Sequence, residues 1–263
     1  MQPLAQLSRV AVIEVEGLSH SYPSRDGPVH ALSDIALSVA PGRFVVIVGP
    51  SGCGKSSLLM MLAGLRHQSQ GSILCGGSPI TDPDPDRVGV VFQEANLFPW
   101  LTAIDNVAFP LALRGVKRAE RTARAAAMLD LVGLHDAGGR YPHELSGGMK
   151  QRVSIARGLV QDPPVLLMDE PFAALDEQTR MAMGEELLRI WAETHKTIVF
   201  VTHSLTEAVY LADEVLVMSA RPGRIIDRIE VDLPRPRDYA MMSSPRFGEL
   251  RERIWTQIRA PAR

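Results

Sequence analysis

The sequence has little cysteine, little net charge and no long apolar run. Its two cysteines, Cys53 and Cys75, are too few for a disulfide framework and fit a reducing compartment. Lysine and arginine total 28 against 30 acidic residues, a net charge of −2, which does not indicate a dominant attraction to nucleic acid. The longest apolar stretches, such as residues 44–48 and 58–62, are far shorter than the roughly 18 residues of a membrane span. Residues 1–16 lack the basic start and apolar run of a secretory signal, so we expect a cytoplasmic protein that reaches a membrane only by docking on another protein.

The length and the overall composition are those of a globular protein. The 263 residues are enough for one large domain or two small ones. Apolar residues make up 46% of the chain and charged residues 22%, close to the averages for globular proteins. These values argue against disorder, collagen and coiled coil.

Short apolar runs alternate with helical patterns along most of the chain. The apolar runs predict strands at residues 44–48, 88–92, 165–168, 197–201 and 215–218. The spacing of apolar residues between them predicts helices at residues 55–65, 146–161, 176–194 and 205–211. Buried strands separated by helices are typical of an α/β fold, with a mainly parallel sheet covered on both faces.

The region around the first of these strands has a different pattern. Short segments in which apolar and polar residues alternate occur at residues 10–15, 35–39 and 72–75, and Gly76-Gly77 marks a turn. Alternation of this kind indicates strands with one buried face. We therefore predict a small antiparallel β subdomain within residues 8–40 and 69–79.

Two further regions predict helices only. Residues 99–145 contain no convincing strand and predict an inserted helical lobe, with helices at residues 104–113 and 118–131. Residues 234–236 (Pro-Arg-Pro) mark a break before a last helix. The apolar stripe of that helix consists of Phe247, Leu250, Ile254 and Ile258.

A phosphate-binding loop follows the strand at residues 44–48. The pattern of glycine, four residues and Gly-Lys-Ser is formed by Gly49, Pro50, Ser51, Gly52, Cys53, Gly54, Lys55 and Ser56. Glycines let backbone N–H groups point at phosphate oxygens, and the start of the following helix adds a positive partial charge. Lys55 supplies a full charge to the β- and γ-phosphates, and the Ser56 hydroxyl can bind Mg²⁺. We include the next residue, Ser57, in the expected nucleotide site, and take Cys53 as a small loop residue.

A pair of acidic residues ends the strand at residues 165–168. Asp169 should lie beside the phosphate loop, where it can hold Mg²⁺ directly or through water. Glu170 should reach the water that attacks the γ-phosphate. These two motifs alone predict a P-loop ATPase or GTPase.

A third motif narrows this interpretation. Residues 145–152, Leu-Ser-Gly-Gly-Met-Lys-Gln-Arg, resemble the signature sequence of an ABC-type ATPase, the nucleotide-binding subunit of an ABC transporter. The resemblance covers essentially residues 10–232, and the motifs occur in the family's order and spacing. It implies that Gln93 belongs to the Q-loop, Asp176 to the D-loop, and that His203 is the switch histidine. Tyr22 stands where the family places an aromatic residue that stacks on adenine. Met149 departs from the glutamine of many members, although the Ser-Gly-Gly before it is kept.

The resemblance also implies a site shared by two chains. Ser146, Gly147 and Gly148 stand at a helix start and form a second anion site. In the family this site faces the γ-phosphate that is held by a second copy, so Lys55 of one copy would act with Ser146 of the other. Two ATP molecules would then lie between two chains in head-to-tail contact.

The implied reaction is ATP hydrolysis by in-line attack of water. We expect Glu170, His203, Lys55 and Gln93 to act on the reacting groups, and Ser56, Gln93 and Asp169 to hold the metal. A groove near Gln93 and the helical lobe would receive a membrane permease. Residues 94–101 offer apolar anchors for that contact, although about half of them can equally belong to the core of the lobe.

The stretches at residues 93–102, 221–225 and 232–237 resemble those of nitrate, sulfonate and taurine importer ATPases. This implies a bacterial importer subunit on the inner face of the membrane, an extracytoplasmic solute-binding protein as an indirect partner, and no nucleic acid. The alternative is a soluble ABC ATPase that acts on nucleic acid or the ribosome. A P-loop GTPase or kinase is disfavoured by the signature and the switch histidine. The expected domains are an ATPase domain at 10–232, with a helical lobe at 99–160, and an extension at 233–263.

Overall fold

The computed structural model describes residues 12–25 and 27–259. Parts of three sequence predictions lie outside the described residues: the start of the strand at 10–15, the first two residues of the domain at 10–232, and residues 260–263 of the extension. Most of the segment at 1–16 lies outside them as well.

Strands and helices alternate along the described residues. In chain order the strands are β1 (Ile13–Tyr22), β2 (Val29–Val39), β3 (Phe44–Val48), β4 (Gln70–Cys75), β5 (Ser78–Pro79), β6 (Val88–Val91), β7 (Val165–Asp169), β8 (Thr197–Val201), β9 (Glu214–Met218) and β10 (Ile225–Glu230). The α-helices are α1 (Lys55–Leu62), α2 (Ala103–Leu113), α3 (Arg118–Leu131), α4 (Gly147–Leu159), α5 (Glu177–Thr194), α6 (Leu205–Leu211) and α7 (Pro245–Arg259). Short 3₁₀ turns lie at His135–Ala137, Pro142–Glu144 and Tyr239–Ser243.

The core sheet has the strand order β10-β9-β3-β8-β7-β6. All neighbouring strands from β9 to β6 run parallel, and β10 pairs antiparallel with β9 at the edge. Every residue of β3, β7 and β8 is buried, as expected for parallel strands covered on both faces. The predicted α/β fold with a mainly parallel sheet is therefore confirmed. β10 was not predicted, because its charged residues break the apolar run of a half-exposed edge strand.

The antiparallel sheet has the strand order β2-β1-β4-β5. Gly76 and Gly77, with φ of +57° and +76°, form the predicted turn between β4 and β5. β1 and β2 are longer than the alternating segments that predicted them. Register shifts within β1 interrupt the period of two, so only short pieces of each strand show a clean alternation.

The two faces of the core sheet bury different elements. Val46 and Val48 of β3 pack in a cluster with α2 to α7, whereas Val45 and Ile47 point to the opposite face, where α1 and the antiparallel sheet pack. The apolar stripe of α7 is buried in the first of these clusters through Phe247, Leu250 and Ile254. α7 therefore covers the face of the sheet on which Val46 and Val48 lie. None of the described helices is both long and apolar enough to cross a bilayer.

Residues 99–145 contain α2, α3 and two 3₁₀ turns and, as predicted, no strand. The buried Asn106 ties the preceding loop to α2: its amide group donates to the carbonyls of Phe98 and Leu101 at 3.2 and 3.0 Å. Two helix ends were predicted too late: α1 ends at Leu62 and not at residue 65, and α4 ends at Leu159 and not at residue 161. Gly64 has a φ of +70°, and a Cβ there would lie 2.4 Å from the Asp82 carbonyl oxygen, so the chain turns at that point.

Candidate functional site

The glycine-rich loop joins the end of β3 to the start of α1 and is packed closely from both sides. A Cβ on Gly49 would lie 2.9 Å from the Met218 carbonyl oxygen, and one on Gly54 would lie 2.6 Å from Leu32 Cδ2. Gly54 also has a φ of +108°, which side chains other than glycine rarely adopt. The sequence therefore uses glycine here both for the turn and for contact with β9 and β2. Cys53 is buried, and burial raises the pKa of its thiol.

Lys55, the first residue of α1, folds back over this loop. Its side chain is only 5% exposed, and its Nζ donates to the carbonyl oxygens of Gly49 and Pro50 at 3.0 and 3.1 Å. An ammonium group has three donors, so one remains for an anion in the loop. The loop thus holds a full positive charge beside its own N–H groups.

Ser56 and Asp169 are in direct contact. The Ser56 hydroxyl donates to Asp169 Oδ1 at 2.9 Å, which joins the start of α1 to the end of β7. Burial raises the pKa of the Asp169 carboxyl, and the hydrogen bond from Ser56 opposes part of that effect. A hydroxyl and a carboxylate oxygen side by side are the hard ligands that Mg²⁺ prefers, so this pair fits the metal that the sequence predicts.

Glu170 and His203 meet at the ends of β7 and β8. His203 Nδ1 lies 2.9 Å from Glu170 Oε2. The backbone of Glu170 has a φ of +43°, in the left-handed region that bulky residues avoid, and its N–H donates to the Val201 carbonyl at 2.9 Å. Strain of this kind persists only where the surrounding structure imposes it, and it clusters at functional sites.

The segment that carries His203 is fixed by the partly buried carboxylate of Glu207, which sequence reasoning missed. The Thr202 hydroxyl donates to Glu207 Oε2 at 2.6 Å, and the Ser204 N–H donates to the Thr202 hydroxyl at 2.9 Å. Burial raises the pKa of Glu207. Glu207 stands three residues after Ser204, the N-cap of α6, and this Ser-x-x-Glu spacing is the local pattern that could have marked it as a residue of the helix start.

The aromatic ring of Tyr22 stands beside the loop. Its hydroxyl lies 2.8 Å from Ser57 Oγ, and the Arg66 guanidinium lies 4.9 Å from the ring centre. His20 contacts the ring edge-on, with 4.6 Å between ring centroids. The ring is therefore held by three neighbours at the edge of the loop.

A cavity of about 240 Å³ lies over the loop. It is lined by Tyr22, Ala31, Ser51, Gly52, Gly54, Lys55, Ser56, Ser57, Glu170 and Arg221. Ala31 and Arg221 were not predicted. Arg221 follows β9, whose carboxyl end lies at the same sheet edge as that of its parallel neighbour β3. The parallel pairing of β9 with β3 could have indicated Arg221, but the sequence alone does not give the order of the strands.

The other predicted residues lie outside this lining. Gln93 is exposed in the loop after β6. The exposed Ser146 caps α4, its Oγ accepting from the Met149 N–H at 3.3 Å, and Gly147 is exposed next to it. A Cβ on Gly148 would lie 2.8 Å from Thr179 Cγ2, so α4 approaches α5 closely.

Asp176 caps α5. Its carboxylate accepts from the Thr179 N–H at 3.0 Å and from the Thr179 hydroxyl at 2.7 Å, and these hydrogen bonds lower the pKa of the carboxyl. The segment that connects β7 to α5 thus has a fixed end on the same side of the molecule as the start of α4.

Comparison with known proteins assigns the chain to a family. The sequence profile described as ABC transporter matches residues 32–173, just over half of the chain. The chain belongs to this family. An ATP-binding protein of Brucella abortus is 50% identical over 89% of this chain and 90% of its own length. The taurine import ATP-binding protein TauB of Rhizobium johnstonii is 48% identical over 92% of this chain and 95% of its own.

Solved structures of the family share the fold. The ATP-binding cassette MJ0796, in a dimeric post-hydrolysis state bound to ADP and Pi, superposes with a TM-score of 0.75 at 31% identity, over 84% of this chain and all of that one. The ABC-type ATPase fold and the resemblance to taurine-type ATP-binding subunits are therefore confirmed. The chain is an ATP-binding ATP hydrolase of the ABC type. The alternative activity on nucleic acid or the ribosome finds no support among these relatives.

Proposed function

We propose that this chain is the ATPase subunit of a bacterial ABC importer that takes up a small solute of the taurine, sulfonate or nitrate type through a separate permease. The observation that carries the proposal is the similarity to taurine import ATP-binding proteins. Those of Rhizobium johnstonii and Pseudomonas putida are 48% and 45% identical over 92% and 95% of this chain. Similarity over nearly the whole chain extends beyond the nucleotide motifs.

ATP binds with its phosphates in the loop at residues 49–56 and its base against Tyr22. Ser51 and Gly52 line the cavity, and the charge of Lys55 is held at the mouth of the loop. Displacement of the Gly49 and Pro50 carbonyls by phosphate oxygens lets the Lys55 ammonium make stronger, charge-assisted hydrogen bonds. Ser57 holds the hydroxyl of Tyr22, so the base and the phosphates are positioned from one helix start.

Ser56 and Asp169 would hold Mg²⁺, and Gln93 would serve as a third ligand group. The contact between the Ser56 hydroxyl and the Asp169 carboxylate supports this assignment. When bound, the ion neutralises charge that develops on the phosphoryl oxygens. Asp169 must be ionised to bind a metal. Burial raises the pKa of its carboxyl, and the positive charge of a bound ion would lower that pKa again.

Glu170 is the general base, and His203 is its positioning partner. The carboxylate takes a proton from the attacking water, whose oxygen forms a bond to the γ-phosphorus. The bond from that phosphorus to the bridging oxygen breaks, and its electron pair leaves on ADP. His203 positions the carboxylate through the contact of 2.9 Å between its Nδ1 and Glu170 Oε2. The imidazole ring of His203 also contacts the γ-phosphate. A positioned base contributes about 10²–10⁴-fold to such a rate.

A second copy of the chain completes each site. Ser146, Gly147 and Gly148 are exposed or lie at a helix start, and the P-loop cavity of the same chain does not include them. A donor set that faces solvent in one chain suits a phosphate that another chain presents. The dimeric state of the similar cassette MJ0796 supports this arrangement. We assign Asp176 to the same contact, because the start of α5 that it caps approaches the start of α4.

The permease docks on the helical lobe at residues 99–160, on the inner face of the membrane. Trp100 and Leu113 are 70% and 74% exposed there, and Phe98 packs against Trp100 with 5.5 Å between ring centroids. Exposed aromatic anchors of this kind mark protein interfaces.

Residues 10–232 form the ATPase domain, and the extension at 233–263 lies against it through α7. A solute-binding protein outside the membrane is an indirect partner.

Uptake in cells tests the proposal. A strain that lacks this chain is complemented with the wild type, with Glu170→Gln, or with the control Glu185→Gln in the exposed face of α5. We expect the wild type and the control to restore uptake of labelled taurine, an alkanesulfonate or nitrate, and Glu170→Gln to restore none. Normal uptake of all three solutes without the chain would contradict the proposed function.

A further inference from the structure

The loop after β9 brings a second cation to the phosphate cavity. Arg221 lines that cavity together with Ser51, Gly52 and Lys55. Its Nε and Nη2 donate to the Gly52 carbonyl oxygen at 3.3 and 3.0 Å. The guanidinium therefore contacts the phosphate loop itself, although 169 positions separate the two residues in sequence.

The backbone that carries Arg221 is fixed against the phosphate loop. A Cβ on Gly223 would lie 2.2 Å from the Cys53 carbonyl oxygen, so the two loops touch with no side chain between them. The Gly223 N–H donates to the Ala31 carbonyl at 2.9 Å, and its carbonyl accepts from the Ser33 N–H at 3.0 Å. These contacts hold Arg221 at the cavity before any ligand binds.

No acidic side chain in the described part of the chain pairs with Arg221. Among the described residues its guanidinium donates only to the Gly52 carbonyl, which leaves Nη1 and its hydrogens for another acceptor. The planar fork of a guanidinium matches two phosphate oxygens, and ATP and ADP bring several negative charges into a cavity lined by one acid, Glu170.

We propose that Arg221 is a nucleotide-binding residue that contacts the phosphates of ATP and ADP together with Lys55. This deepens the proposed function and rests on it. Arg221 acts on binding more than on the chemical step, because it lines the cavity but lies outside the Glu170 and His203 pair.

Binding measurements on the full chain test this role. Calorimetry gives the Kd of ADP, and the Kd of ATP is measured in the Glu170→Gln background, where turnover is slow. The variants are Arg221→Met, Arg221→Lys and the control Arg224→Met, which removes the same charge from the same loop outside the cavity. We expect Arg221→Met to weaken ADP and ATP about tenfold and Arg224→Met to leave both unchanged. The Lys variant should recover part of the loss, because it keeps the charge without the fork.

Salt and stability separate binding from a structural role. The wild-type Kd should rise more steeply with salt than that of Arg221→Met, because one charged contact is missing in the variant. A variant Kd equal to that of the wild type, or an equal loss in Arg224→Met, would overturn the inference. So would an unchanged ADP affinity with weakened ATP-dependent dimerisation in light scattering, which would place Arg221 at the partner copy. A wild-type chain that binds neither nucleotide would instead overturn the nucleotide site as a whole.

Discussion

His203 Nδ1 contacts Glu170 Oε2 at 2.9 Å across 33 positions of sequence. The contact follows from the sheet, because β7 and β8 are parallel neighbours in which Asp169 lies opposite Val201. Side chains just beyond these two strands must therefore leave the sheet at the same edge as the phosphate loop. The geometry thus joins the carboxylate that we propose as the base to a second polar group beside the phosphate loop.

Glu170→Gln should bind ATP with nearly wild-type affinity and hydrolyse it about 10²–10⁴-fold more slowly. The amide keeps the shape and a hydrogen bond to His203 but cannot accept a proton from water. The measurement is phosphate release under saturating ATP, with nucleotide binding followed separately. Glu185→Gln, which removes an exposed carboxylate from α5, should hydrolyse at the wild-type rate. A rapid Glu170→Gln enzyme would show that another group is the base.

The backbone at residue 170 predicts an unusual order of stabilities. A φ of +43° costs an L-residue about 1–2 kcal/mol, and glycine does not bear that cost. Glu170→Gly should therefore be about 1 kcal/mol more stable to thermal unfolding than Glu170→Ala. At Glu185, inside a helix, the order should reverse, because alanine is the better helix former by about 1 kcal/mol. The same order at both positions would mean that residue 170 is not strained.

Most of this site could be predicted from sequence because its residues belong to local motifs. Lys55 and Ser56 follow a strand and open a helix, and Asp169 ends a buried strand, so strand topology alone places them at one edge. Arg221 could not be found in this way. Its role depends on which strand lies beside β3 and on the contact of Gly223 with Cys53, and neither leaves a periodic signal. The end of α1 is a different case, because it does carry a local signal: Gly64 follows the C-cap with a φ of +70°, and a glycine at this place is the usual end of a helix.

Asp169→Asn should abolish hydrolysis and yet raise the melting temperature of the nucleotide-free chain near neutral pH. Burial raises the pKa of Asp169 in the folded state, so the ionised side chain destabilises the fold above that pKa. Asparagine removes the charge and still accepts from Ser56, a gain of about 1 kcal/mol. As pH falls through the raised pKa, the wild-type carboxyl takes up its proton in the folded state first, and the advantage of the variant should shrink.

Thermal unfolding from about pH 4, the ordinary pKa of an aspartate, to pH 8 measures this difference. The exposed Asp82 supplies the control, because Asp82→Asn removes a carboxylate that is not buried and should leave the pH dependence as in the wild type. An Asp169→Asn chain that is less stable than the wild type at neutral pH would show that the carboxylate stabilises the fold.

Gly148→Ala should change stability in a direction that depends on Thr179. In the wild type the new Cβ would lie 2.8 Å from Thr179 Cγ2, and Thr179 is held by its hydrogen bonds to Asp176, so we expect a loss of about 1–3 kcal/mol. Thr179→Ser removes that methyl group and keeps the hydroxyl. In this background the same substitution should stabilise α4 by up to about 1 kcal/mol. A double-mutant cycle of melting temperatures tests the change of sign, and equal losses in both backgrounds would rule out the contact as its cause.

Mixing two inactive variants tests whether the site is shared. Lys55→Ala removes the positive charge that contacts the phosphates, and Ser146→Arg blocks the anion site of the signature. Each variant alone should therefore be inactive as a dimer. A head-to-tail heterodimer of the two has one site in which both changes meet and one site in which neither occurs. An equal mixture should therefore recover about a quarter of wild-type ATPase activity if the chains pair at random and the two sites turn over independently. Lys55→Ala mixed with the double variant should recover none, because no intact phosphate loop is present. If heterodimers form and sites turn over independently, yet the first mixture is as inactive as its parts, Lys55 and Ser146 serve the same nucleotide within one chain, because only then does every site carry a defect.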